Sequence, residues 1–166
     1  MSEDRIVLDE LFPLQASLDQ EIALLHHVDY EATHEKRVLA LLVELGEFAN
    51  ETRCFKYWSL KPPSNKEVIL SEYADGMHFF LSLGIPLGVT TFSHRFSIRE
   101  KDLTKALVSI YREIGALHES YDPQHYAVAF GEYLNLLPLL GYSSEEAIAA
   151  YKKKLRVNHV RQETHY

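Results

Sequence analysis

The chain has little of what marks secreted, membrane-spanning or polyanion-binding proteins. Among its 166 residues there is one cysteine, Cys54. That excludes an intrachain disulfide and a cysteine-rich metal knot, and makes a reducing cytosol the default compartment. The first residues, Met1-Ser-Glu-Asp-Arg5, lack the basic flank and apolar core of a signal peptide. No apolar run reaches the ~20 residues of a spanning helix. The nearest, residues 79–92, is broken by Gly84, Pro86 and Gly88. Positive charge is scarce: 17 Lys and Arg against 24 Asp and Glu give a formal net charge of −7. Such a chain has no general attraction for nucleic acid or anionic membranes. A polyanion would need divalent cations or a local basic patch to bind. Strand-like alternation of useful length and internal repeats are missing as well. The expectation is a cytoplasmic protein with no nucleic-acid partner and no membrane partner.

What is present is enough apolar and aromatic material for one core. The hydrophobic fraction is 46%, with ten Tyr and eight Phe, which fits a single domain over residues 1–166. Leu11, Leu14, Leu18, Ile22 and Leu25 recur at helical spacing and predict a helix near 9–27 with Pro13 in its first turn. Val38, Leu41, Leu45 and Phe48 mark a second helix, about 34–56, stopped by Pro62-Pro63. Ser64-Asn-Lys-Glu67 reads as a capping box opening a third helix that runs to Gly84. Residues 85–96 have no helical period and contain Gly and Pro, so they predict a mobile connection or insertion. Ser97-Ile-Arg-Glu100 reads as a second capping box, ahead of Leu107, Ile110 and Ile114. Asp122-Pro123 starts a helix to about Leu140, with Pro138 in its last turn. Ser143-Ser-Glu-Glu146 caps a final helix of about 144–162. The expected fold is all-α, a single-domain bundle of about six helices.

Two acidic pairs stand out against this pattern. Glu44-x-x-Glu47 and Glu72-x-x-Asp75 each place two carboxylates three residues apart, on one helical face. Like charges so arranged repel unless something neutralises them. Carboxylates are hard oxygen ligands, suited to Mg²⁺ or Mn²⁺. Two divalent ions would balance the four negative charges, which points to a metal site between the second and third helices. A solvated helix face carries such pairs too, so the pairs alone leave both readings open. A basic counterpart lies at the end of the chain. Tyr151, Lys154, Asn158 and Arg161 share one stripe of the last helix, either as cations favoured at a helix C-terminus or as phosphate contacts.

Taken together, Glu44-x-x-Glu47, Lys56-Tyr-Trp58 and Glu72-x-x-Asp75-x-x-His78-Phe79 resemble the dimeric all-α dUTPases, relatives of the MazG-like nucleoside triphosphate pyrophosphatases. Leu14-Gln15-x-x-Leu18-Asp19 and Tyr151-x-x-Lys154-x-x-x-Asn158-x-x-Arg161-Gln162 also fit that pattern, so the resemblance spans most of the chain. It implies a homodimer that cleaves dUTP to dUMP and pyrophosphate with two or more Mg²⁺ ions, held by Glu44, Glu47, Glu72 and Asp75. Glu47 would also take the proton of the attacking water. Lys154, Asn158 and Arg161, with Lys56, would hold phosphates. Gln15 and Asp19 would read the base, with Trp58 and Phe79 packing on its ring. Two features depart from the pattern. Asp19 stands where some relatives have Asn, and an ionised carboxylate can only accept hydrogen bonds. The chain also stops soon after Gln162, where some relatives continue, which predicts a shortened phosphate-covering tail.

Three other readings compete. A di-iron bundle would use Glu31-x-x-His34 and Asp75-x-x-His78, but Glu31 and His34 lie ~10 residues, or ~15 Å, along the helix from Glu44. A non-catalytic helical interaction protein has no need of both the acidic and the basic stripe. The same chemistry on another nucleotide stays open.

Overall fold

The computed structural model describes residues 4–164. It contains α1 (Leu11–Leu25), α2 (His34–Thr52), α3 (Lys66–Gly84), α4 (Leu103–Glu119), α5 (Pro123–Leu134), α6 (Leu136–Leu140) and α7 (Ser144–Glu163). Two short strands, β1 (Arg5–Val7) and β2 (Ser93–Arg95), complete it. The five-residue α6 continues the path of α5, so the chain builds six helical rods, as its periodicity predicts. The shortened-tail reading falls partly on residues 165 and 166, and the signal-peptide reading on residues 1–3, which lie outside the described residues.

α3 is the centre of the bundle. It buries Ile69, Leu70, Tyr73, Met77, Phe80 and Leu81, and it packs against α1, α2, α5 and α7. A helix apolar on nearly all sides has to be enclosed. Its seam with α5 is made by tyrosines whose hydroxyls donate to carbonyls of the facing helix. Tyr133 bonds the Tyr73 carbonyl at 2.6 Å, and Tyr126 bonds that of Phe80 at 2.7 Å. The rings of Tyr73 and Tyr133 stack at 4.4 Å. This close approach requires Gly76: a Cβ there would sit 2.1 Å from the Tyr133 hydroxyl.

Several local expectations are corrected by tertiary partners. The α3 N-cap is Asn65, whose Oδ1 accepts from the Val68 amide at 3.0 Å. Ser64 instead donates to the Glu51 carboxylate, tying α3 to α2. Ser97 caps nothing, because its amide donates to Asn135 Oδ1 at 2.9 Å. α4 therefore starts later, with Asp102 as N-cap. Asp122 and Ser143 do cap their helices, the latter as a complete capping box with Glu146. α5 ends at Leu134, four residues before Pro138, where a proline ring meets the carbonyl of a continuing helix. On α1, Leu14 and Leu25 face outward while Phe12 and Gln15 are buried, so the core stripe is rotated to include an amide.

Hydrogen bonds tie the 85–96 segment to the start of the chain and to Asn135. After a 3-10 turn (Ile85–Leu87), β2 pairs antiparallel with β1 in the register Ile6 opposite His94. Leu8 and Phe96 amides extend the ladder at 2.8 Å each, and His94 bonds Asn135 at 2.7 Å. The partner strand lies far upstream, so no local period marks it.

Gly76→Ala is expected to destabilise the fold by about 1–3 kcal/mol through overpacking against Tyr133. Thermal denaturation would register this as a fall of several degrees, at about 2–4 °C per kcal/mol for a chain of this size.

Candidate active site

Both acidic pairs are set by helical geometry. α2 carries Glu44 and Glu47, α3 carries Glu72 and Asp75, and the two helices pack along their length. The carboxylates of Glu44, Glu72 and Asp75 offer oxygens that all lie within 4.8 Å of one another. Each residue is half-buried. Glu44 Oε2 and Glu72 Oε2 are buried without a hydrogen-bond partner. Such orphaned acceptors are costly, and three convergent carboxylates with two open oxygens fit a hard divalent cation. Glu47 is more exposed, and its charge acts on both Glu44 and Glu72. It lines a polar cleft of about 530 Å³ with Asn50, Glu51 and Glu72.

Electrostatics express the same crowding. Burial, then the charges of Asp75 and Glu47, push the Glu44 carboxyl up to about 8. Burial and the same neighbours raise Glu72 to about 7. Burial raises Asp75 as well, against the pull of Lys154 and the charge of Arg161. Lys154 Nζ donates to Asp75 Oδ2 at 3.0 Å, so the basic stripe of α7 faces the acids as its spacing suggests. Asn158 follows one turn on, half-buried.

A second rung lies one helical turn along the same two helices. Asp75 and His78 are three residues apart on α3, as are Tyr151 and Lys154 on α7. The His78 and Tyr151 rings stack at 4.3 Å. Between them enters Gln15 of α1, only 3% exposed. Its Oε1 accepts from His78 Nδ1 at 2.6 Å and from the Tyr151 hydroxyl at 2.9 Å, and its Nε2 donates to Asp19 Oδ1 at 2.9 Å. A carbonyl oxygen can only accept, so His78 Nδ1 carries the proton. Its buried Nε2 has no partner, and burial pushes the imidazole down to about 4. Gln15 and Asp19 are thus joined to the acidic centre through His78 and Tyr151.

Phe79 is half-buried against the core. Lys56 and Trp58 sit on the connection from α2 to α3. That connection begins at Arg53, in the left-handed region at φ 59°, whose guanidinium holds the Lys61 carbonyl and the Ser59 hydroxyl. Trp58 is 63% exposed and packs edge-on against Tyr57 and Phe55. Lys56 lies over the Phe55 ring, and neither residue bonds the acidic cluster among the described residues.

Sequence reasoning missed Tyr30, Arg37 and Ser82, which surround Asp19. The available signal was Arg37: it falls four residues before Leu41 on the buried stripe of α2, and a cation there needs an internal partner.

The fold is a helical bundle in which a carboxylate cluster that could hold a cation faces the basic stripe of α7. A family described as dUTPase matches residues 7–166, and the chain belongs to that family, the all-α dUTPase group. No curated protein sequence matches the chain.

Folded-state Glu72 and Glu44 hold protons that the unfolded chain, with an ordinary value of 4.5, has released. Their contribution to stability is therefore full below about pH 4.5 and is lost as pH rises through about 7 and about 8. Metal-free protein should melt progressively lower over that window. Mg²⁺ should raise Tm far more at pH about 9 than at pH about 5, measured by scanning calorimetry.

Proposed function

We propose that the protein is a divalent-cation-dependent dUTP diphosphatase, converting dUTP to dUMP and pyrophosphate as one domain over residues 1–166. Three convergent carboxylates with orphaned oxygens, met by Lys154 in a chain of the dUTPase family, carry this reading. Glu44, Glu47, Glu72 and Asp75 would hold Mg²⁺, with Mn²⁺ an alternative of the same ligand preference. Bound, the cation would supply charge neutralisation at the phosphates and a more acidic water.

The chain's own residues do the rest. Glu47, the most accessible of the four acids, accepts a proton from water as its oxygen attacks the α-phosphorus. The bond from that phosphorus to the α–β bridging oxygen breaks, and pyrophosphate leaves with the electron pair. Lys154, Asn158 and Arg161 bind phosphate oxygens by charge-assisted bonds, with Lys56 contributing from the α2–α3 connection. Lys154 must exchange its Asp75 partner for phosphate to do so. Gln15, with Asp19 behind it, forms the polar end of the base site. Phe79 and Trp58 supply aromatic faces, Trp58 from an exposed position that a bound base or a second subunit would cover. A cytoplasmic homodimer is the form in which this activity is expected.

Pyrophosphate release measured across dUTP, dCTP, dTTP and the ribonucleotides with Mg²⁺ tests the reading. dUTP should be turned over fastest. Preference for another nucleotide would overturn the substrate assignment, and absence of any turnover by folded, Mg²⁺-loaded protein would overturn the activity. Glu47→Gln should lower kcat by about 10²–10⁴-fold without loss of thermal stability, and full activity in that variant would remove Glu47 from the mechanism.

A further inference from the structure

A glutamine amide can sit in two orientations that exchange its oxygen and nitrogen, and the two offer a ligand opposite hydrogen-bonding character. What surrounds Gln15 decides between them. Tyr151 supplies a hydroxyl, which can donate or accept. His78 supplies a neutral imidazole, whose nitrogens can exchange roles by tautomerisation. Neither fixes the amide. Asp19, at 2.9 Å from Gln15 Nε2, is different, because a carboxylate accepts only. It forces the NH₂ group toward itself and the carbonyl toward His78 and Tyr151.

This holds only while Asp19 remains ionised in a half-buried position, and burial works against that. Three groups beyond Gln15 support the charge. The Tyr30 hydroxyl oxygen is 2.6 Å from the Ser82 carbonyl and 3.2 Å from Asp19 Oδ2, so its one proton is shared between two acceptors. The Ser82 hydroxyl also serves Asp19. The third is Arg37, 8% exposed, a cation whose charge favours the Asp19 carboxylate. Its guanidinium is locked by bonds to Thr33 Oγ1 at 3.0 Å, the Ser82 carbonyl at 3.1 Å and the Tyr30 hydroxyl at 3.3 Å. It also lies 4.2 Å from the centre of the Tyr30 ring.

We propose that Tyr30 and Arg37 are positioning residues for base recognition: through Asp19 they hold the Gln15 amide in one orientation, its carbonyl consumed and one N–H left to donate, so that the base end of the site favours a ring carbonyl over a ring amino group, uracil over cytosine. Asp19 then acts through Gln15, and an acceptor-only residue at this position serves the same selection as a direct reader. The inference rests on the dUTPase reading.

The test is the ratio of kcat/KM for dUTP to that for dCTP, measured with Mg²⁺ in wild type, Tyr30→Phe, Arg37→Gln and Arg37→Lys. Tyr30→Phe keeps the ring and removes only the hydroxyl, so it guards against loss of folding in the arginine variants. Tyr30→Phe and Arg37→Gln should lower the ratio by about tenfold or more, mainly by improving dCTP, while Arg37→Lys, which keeps the charge, should retain most of it. A residue that merely stabilised the bundle would lower Tm and leave the ratio unmoved. That outcome in Tyr30→Phe, with wild type preferring dUTP, overturns this inference alone. A wild type that does not prefer dUTP overturns the substrate reading and this inference with it.

Discussion

Everything in this fold accommodates one unfavourable interaction: carboxylates of α2 and α3 held within 4.8 Å of one another and half out of water. Fully ionised, each such pair would repel by roughly 3 kcal/mol at an effective dielectric of about 20. That is about what burying one large apolar side chain returns. The centre can persist only where neighbouring apolar contacts are dense, and α3 provides them. Its tyrosine-bonded seam with α5 and its contacts with α1, α2 and α7 hold the helix that carries Glu72 and Asp75. Without a cation, protonation of Glu44 and Glu72 relieves the remaining repulsion. The raised carboxyls and the two unpartnered oxygens are therefore expressions of the same crowding.

The α3–α7 contact then ties the two ends of the site together. Asp75–Lys154 and His78–Tyr151 are successive rungs between the same helices, about 4.5 Å apart along each axis. A change in how α7 packs would move Lys154 and the Tyr151 hydroxyl that bonds Gln15 in concert. α1 joins at the second rung through Gln15. This explains why an amide occupies the buried stripe of a helix whose leucines at 14 and 25 face outward.

How far the sequence revealed this depends on whether the deciding interaction was local. Helices were legible because apolar spacing is a property of the segment itself. Asp122 and Ser143 were legible as caps because their partners lie three residues away. Ser64 and Ser97 misled because Glu51 and Asn135, distant in sequence, took the groups that a cap would have used. β2 was illegible because three residues have no period of their own and their partner is β1. The same division holds for the site. Paired acids and the Lys154–Asn158–Arg161 stripe could be read from spacing on single helices. The Arg37–Tyr30–Asp19–Gln15 chain could not, since it exists only where α1, α2 and α3 meet.

Arg37 and Lys154 are built to behave differently. Arg37 is nearly enclosed, and its planar fork is committed to several fixed oxygens from different segments. Moving it would strand those groups, so its charge beside Asp19 is permanent. Lys154 is a point charge on a flexible stem, bonded to Asp75, and both side chains are 20% exposed. Moving it costs one bond, and a cation at Asp75 would remove the reason for that bond. On the proposed dUTPase reading, a fixed cation behind Gln15 and Asp19 and an exchangeable one at the carboxylates would suit a substrate whose base has to be discriminated and whose phosphates arrive with their own charge and counter-ions.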